Sequence, residues 1–259
     1  MTNTIRHLST IAGITMLEGA RKQIFHVLML FAMTLIVIST LLGFLDHNVQ
    51  VKIIQDLVCV SIMVSGCLIA ITLSVSGLSQ EVEHRTVYPV MAKSIKRWEF
   101  VVGKYLGTVG TVAIGMFIML AAFCGILLAY VGHVSSGVFM VVPFLLLEAS
   151  IVAAIGVLLS TFCSPPLAWF LSVFAFIVGA FKFQISEFLS AKDHSIAGKA
   201  VEAAAYQFLP NLECFNFKDA LVQGLSVPVG YLIQTALYGL CYTGFALCMA
   251  TIAFKRREL

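Results

Sequence analysis

Val138-Phe-Met-Val-Val-Pro-Phe-Leu-Leu-Leu-Glu-Ala-Ser-Ile-Val-Ala-Ala-Ile-Gly-Val-Leu-Leu-Ser-Thr-Phe162 is 25 residues long and contains one ionisable side chain, Glu148. A helix needs about 20 predominantly apolar residues to cross the ~30 Å hydrocarbon layer of a bilayer. The run is continuously apolar, whereas a barrel strand alternates between apolar and polar over about ten residues. It therefore reads as a membrane-spanning helix. Directly after it, Cys163-Ser164-Pro165-Pro166 breaks the chain, because neither proline can donate a backbone hydrogen bond.

Working outward, the same pattern recurs. Apolar runs at 24–45, 53–78, 105–131, 167–183 and 231–254 make six predicted spans with the first. Asp46, His47 and Asn48 end the 24–45 span, and a tight turn over 132–137 separates two others. Composition agrees. The 259 residues are 60% hydrophobic and 11% charged, with a mean hydropathy of +0.99. A soluble domain carries about a quarter charged residues, so the bilayer must be this chain's solvent. The expected fold is an all-α integral membrane protein forming one domain over 1–259. Residues 1–22 place Ile5, Leu8, Ile11, Ile14 and Leu17 near helical spacing with Arg6, Glu18, Arg21 and Lys22 among them. This suits an amphipathic helix lying in the membrane interface. The run that follows is too long for the apolar core of a cleavable signal and reads as a retained anchor.

Orientation follows from lysine and arginine. Arg6, Arg21, Lys22, Arg85, Lys93, Lys96, Arg97, Lys104, Lys255, Arg256 and Arg257 fall on the side of the termini. Lys52, Lys182, Lys192, Lys199 and Lys218 fall opposite. The bias places both termini and the 80–104 loop in the cytoplasm of a plasma (inner) membrane protein, and the 184–229 segment outside. In that outer segment Val201, Ala204, Ala205 and Phe208 share one helical face, so a short helix over 200–208 is expected, broken by Pro210, with a second over 217–225. The formal charge of +3 is small, and its distribution is what informs; no nucleic-acid partner is expected.

The 80–104 loop has mixed charge, an internal Pro89 that disfavours helix at Tyr88, and Gly103-Lys104 leading into the next span. Such a rigid charged projection suits docking onto a soluble partner. It resembles the signature of type-2 ABC exporter permeases. Glu81, Glu83, Arg85 and Thr86 match the acidic-to-Arg-Thr run that closes the second span in that family. Lys96 or Arg97, with Phe100, Gly103 and Lys104, match the motif that opens the third. Ser94-Ile95 stands where the family often has a proline. Leu209-Pro210-Asn211-Leu212 and Phe215-Asn216 also resemble family members at that place, more weakly. The resemblance implies a permease subunit that pairs with a second copy or a paralogue. Each half would rest on a cytoplasmic ATPase that holds ATP and Mg, with no cofactor on this chain. Glu81, Glu83, Arg85, Thr86, Arg97, Phe100, Gly103 and Lys104 would then form the coupling element. It also implies outer helices that dip part-way into the membrane and cap the exit.

The chain carries no nucleotide loop of its own, since Gly103-Lys104 lacks the preceding glycine and following hydroxyl of a P-loop. Ser76-Gly77-Leu78-Ser79-Gln80 has a superficial likeness to an ABC signature loop but ends a span. Glu148 is the one acid deep in an apolar run, where an ionised side chain costs about 2.5–3.5 kcal/mol. It is a candidate lining residue or proton acceptor, or else a neutral structural carboxyl bonded to a neighbouring helix. His7, His26, His47, His84, His133 and His194 have no metal-ligand spacing, and the seven cysteines form no Cys-x-x-Cys pair. No metal or catalytic set is expected, and the cysteines read as free, buried thiols. Trp98, Trp169 and Tyr231 fall near predicted interfaces, where amphipathic rings anchor helices. Beside the exporter reading stand a membrane scaffold or assembly factor without flux of its own, and an intramembrane enzyme. The enzyme would need a partner for Glu148 that the sequence does not offer.

Overall fold

In the computed structural model of the chain, residues 2–40, 47–83, 96–130, 136–182, 209–217 and 227–256 are described. Of these, 93% are helical and none is in a strand. The helices are α1 (Thr2–Arg21), α2 (Gln23–Thr40), α3 (His47–Glu83), α4 (Arg97–Tyr130), α5 (Ser136–Phe162), α6 (Pro165–Ala180) and α7 (Val229–Arg256), with a 3-10 turn at Glu213–Phe215. Four stretches are long and apolar enough to cross a membrane: Gln50–Gly77, Arg97–Leu128, Phe139–Phe162 and Val229–Phe254. The pair Thr4–Arg21 and Gln23–Ile38, bent by 62°, makes a fifth if counted as one span. The chain is a membrane-embedded, multi-pass helical protein.

Local chemistry explains the breaks. Ser164 is extended and the two prolines occupy the first positions of α6, where a missing N–H costs nothing. The expected break at 163–166 is therefore present. α6 rises only about 24 Å over its 16 residues, short of a full hydrocarbon layer. By contrast, α3 and α4 have 37 and 34 residues. Each exceeds 50 Å by the ~1.5 Å rise per residue, so their ends project beyond the hydrocarbon.

The helices pack around α3, which touches α2, α4, α5 and α6, and around α5, which touches α3, α4, α6 and α7. Ile62 and Ile69 of α3, Met116 and Phe123 of α4 and Ile151 of α5 are fully buried in the shared core. α7 lies at the margin, with Ile233, Leu240, Phe245 and Ile252 facing outward. α1 runs against the first half of α4. The approach is close at Gly107, where a Cβ would stand 2.5 Å from the Thr15 Cβ and 2.7 Å from the Ala12 carbonyl oxygen. Only glycine leaves room for the α1 backbone there. Ile5, Ile14 and Leu17 of α1 remain exposed.

Several predicted boundaries move. Residues 80–83 continue α3, and 97–104 are the first two turns of α4 rather than part of a loop. The apolar count missed these turns because Arg97, Glu99 and Lys104 are charged, and helices continue past the hydrocarbon edge. α3 begins at His47, so His47 and Asn48 open a helix instead of ending one. α5 begins at Ser136, inside the expected turn. Cys241 and Cys248 are exposed on α7 rather than buried, although all seven cysteines are free. The 200–208 helix lies outside the described residues, as does 217–225 apart from Phe217, which is not helical.

Candidate functional site

The residues with most chemistry gather at the end of the bundle where α1, the start of α4 and the end of α7 meet. The turn that opens α4 caps itself. Glu99 Oε2 accepts the Lys96 backbone N–H at 3.3 Å, three residues back, the reach of a capping-box acid. The same oxygen lies 3.4 Å from His7 Nδ1 of α1. Glu99 is buried and His7 partly exposed. Arg97 donates from Nη1 to the Phe254 carbonyl oxygen of α7 at 3.5 Å. Phe100 is buried and stacks on Phe254, with ring centroids 6.0 Å apart.

Two turns further along α4, Gly103 lies against Ile11 of α1. Lys104 is buried, with Nζ 3.6 Å from Glu18 Oε2. Glu18 Oε1 is 4.0 Å from Lys22 Nζ, and Lys22 donates to Ser76 Oγ of α3 at 2.8 Å. A short chain of charges thus joins α1, α3 and α4. Arg97, Phe100, Gly103 and Lys104 come together here, and Phe100, Gly103 and Lys104 face neighbouring helices. Glu81 and Glu83 lie on the last turn of α3, with side chains outside the described residues. Arg85 and Thr86 also lie outside them. His7, Glu18 and Glu99 were not among the expected site residues. The spacing of Glu99 three residues after Lys96 was a readable capping signal. The Glu18–Lys104 pairing spans 86 residues and left no local trace.

Deeper in the bundle, Glu148 is 1% exposed. Its Oε2 has no hydrogen-bond partner among the described residues. Among the described residues no group of three His, Cys, Asp or Glu side chains forms a metal site.

At the opposite end of the bundle, 209–217 folds back among α5, α6 and α7. Leu212 N–H donates to the Gly179 carbonyl at 3.1 Å, Asn211 N–H donates to the Tyr238 hydroxyl at 2.9 Å, and Lys182 Nζ donates to the Leu209 carbonyl at 3.1 Å. Phe215 is fully buried. Phe217 packs edge-on to Phe144 and Tyr231, with centroids 4.6 and 5.8 Å away.

Compared with known proteins, the chain matches no family model and no curated sequence.

Proposed function

We propose that the chain is the transmembrane permease subunit of an ATP-driven ABC exporter, with ATP hydrolysed on a separate cytoplasmic subunit. In this reading α2 to α7 are six spans, α1 is the interfacial helix and both termini are cytoplasmic. The observation that carries it is mechanical. The 84–95 segment, within the stretch that resembles the family signature, is held between two unbroken helices, α3 and α4. Force applied there passes directly into both. At the same level Lys104–Glu18, Lys22–Ser76 and Phe100–Phe254 tie α1, α3, α4 and α7 together. A push on the loop therefore moves the bundle end as a unit. Glu81, Glu83, Arg85 and Thr86 sit where an ATPase would touch. Arg97, Phe100, Gly103 and Lys104 transmit rather than contact. A second copy or paralogue completes the transport path, and the inward-folded 209–217 segment caps its outer end.

The test is purification of the tagged chain from its native membranes in mild detergent. We expect an ATPase bearing a P-loop to accompany it, and to be lost when Glu83 and Arg85 are charge-reversed. A preparation free of any ATPase, repeated under crosslinking, would remove the reading.

A further inference from the structure

Glu148 is the buried ionisable side chain that the coupling reading leaves without a task. It stands mid-way along α5, about 18 Å of helix from Ser136 and about 21 Å from Phe162. α5 touches α3, α4, α6, α7 and the turn at Glu213–Phe215. The residues flanking Glu148 on α5, Leu145, Ala149, Ile151 and Val152, are buried with it. The seams around α3 are tight. A Cβ on Gly156 of α5 would overlap Ser74 Oγ of α3, and one on Gly66 of α3 would overlap Met116 Cε of α4. At 1% exposure, Glu148 is shut off from bulk water in this arrangement.

No cation stands at its level. The other buried charged side chains among the described residues are Glu99, Lys104 and Lys182. Glu99 and Lys104 lie in the first turns of α4, and Lys182 just past the end of α6. Of the remaining described charges on elements packed against α5, Lys52 and Asp56 lie in the first three turns of α3, Arg97 opens α4, and Glu213 lies in the 3-10 turn. α6 carries no charged residue. The inward titratable groups nearer the middle are Cys59 and Cys67 of α3 and Tyr105 of α4, with Tyr242 of α7 half-buried. A thiol or a phenol is no counter-ion for a carboxylate.

An ionised carboxyl enclosed without a cation is costly, and such a group takes up a proton instead. The free Oε2 is where that proton can sit without displacing a bond. We propose that Glu148 is a proton-binding site that couples protonation to closure of the bundle. It holds one proton while α3 and α5 are packed together, and releases it when they part far enough to admit water. A solvated glutamate loses its proton near pH ~4.3. Closure therefore has its full strength below that value. It weakens by up to tenfold for each pH unit above it, until the closed form also yields its proton. This is the reverse of the usual surface carboxylate, which favours the folded form as pH rises. The site rests on the α3–α5 packing alone and stands whether or not an ATPase drives the protein.

Amide hydrogen exchange of the full chain in nanodiscs, corrected for the intrinsic pH dependence of exchange, tests this between pH 5 and pH 8. Protection of the peptides around 61–74 and 145–157 should fall as pH rises in the parent, by up to tenfold per unit. Glu148→Gln, which mimics the protonated carboxyl, should keep its protection across the range. The same pH dependence in both proteins would overturn the proposal. If Glu148→Gln fails to insert, infrared spectroscopy of the parent in a detergent without ester carbonyls decides. At pH 7 solvated carboxyls are ionised, so a C=O band of a protonated carboxyl is expected from Glu148, and a spectrum without that band would overturn the assignment.

Discussion

Gly107→Ala is the sharpest test of how α1 is held. The substitution adds one carbon at a position fixed by the α4 backbone. That carbon would lie 2.5 Å from the Thr15 Cβ and 2.7 Å from the Ala12 carbonyl oxygen. Ordinary contacts are about 3.5–4.0 Å between carbons and about 3.3 Å or more between carbon and a carbonyl oxygen. α1 must therefore back away by roughly 1 Å, and a gap of that size forfeits a quarter to a half of each dispersion contact along the seam. Overpacking of this kind costs about 1–3 kcal/mol. Taking about 2 kcal/mol, the opening equilibrium of α1 shifts by roughly 30-fold. Amide hydrogen exchange of the α1 peptides in nanodiscs reads this directly. Two other glycines of α4 calibrate it. At Gly110 the nearest atom is the flexible Met16 Sδ at 3.1 Å, and at Gly125 nothing lies within 4 Å. Gly110→Ala should have a small effect, and Gly125→Ala should be neutral or stabilise α4 by up to about 1 kcal/mol through helix propensity. The reasoning fails if all three variants leave α1 protection alike, because the α1–α4 seam would then not be the one described.

Two further outcomes are expected. Glu148→Gln keeps shape and hydrogen-bonding reach but removes the option of charge. It should insert and fold like the parent; if the chain is the permease proposed above and Glu148 works in it, the variant should alter transport, and unchanged transport at normal expression would return Glu148 to a purely structural role. Phe215→Ala empties a fully buried site and should cost about 3–5 kcal/mol, seen as a lowered unfolding temperature in detergent, whereas Phe174→Ala on the outward face of α6 should shift it little. Equal effects of the two would mean that 209–217 does not fold into the bundle.

The motif residues show where a linear reading reached and where it stopped. Arg97, Phe100, Gly103 and Lys104 were picked out as a group by their resemblance to the motif that opens the third span in one permease family. Their partners were not. Phe254 meets Phe100 across 154 positions of sequence, and Glu18 meets Lys104 across 86. Nothing local to either residue encodes that meeting. Glu99 was legible in principle, since a capping acid lies three residues from the group it satisfies. Gly107 reads as one glycine among nineteen until the Ala12 carbonyl stands beside it.

By itself the sequence determined the solvent and the class of element. Long unbroken apolar runs must sit in lipid, and in lipid a lone segment can satisfy its backbone only as a helix. The double proline at 165–166 determined one break for the same local reason. The tertiary structure alone decided where the helices end, because a helix does not stop at the hydrocarbon edge but where its backbone finds other partners. It also decided that α1 lies along α4, that 209–217 turns inward, and that Glu148 is enclosed in the bundle. Each of those depends on shape and charge matching between segments far apart in the chain, and hydropathy measures one segment at a time.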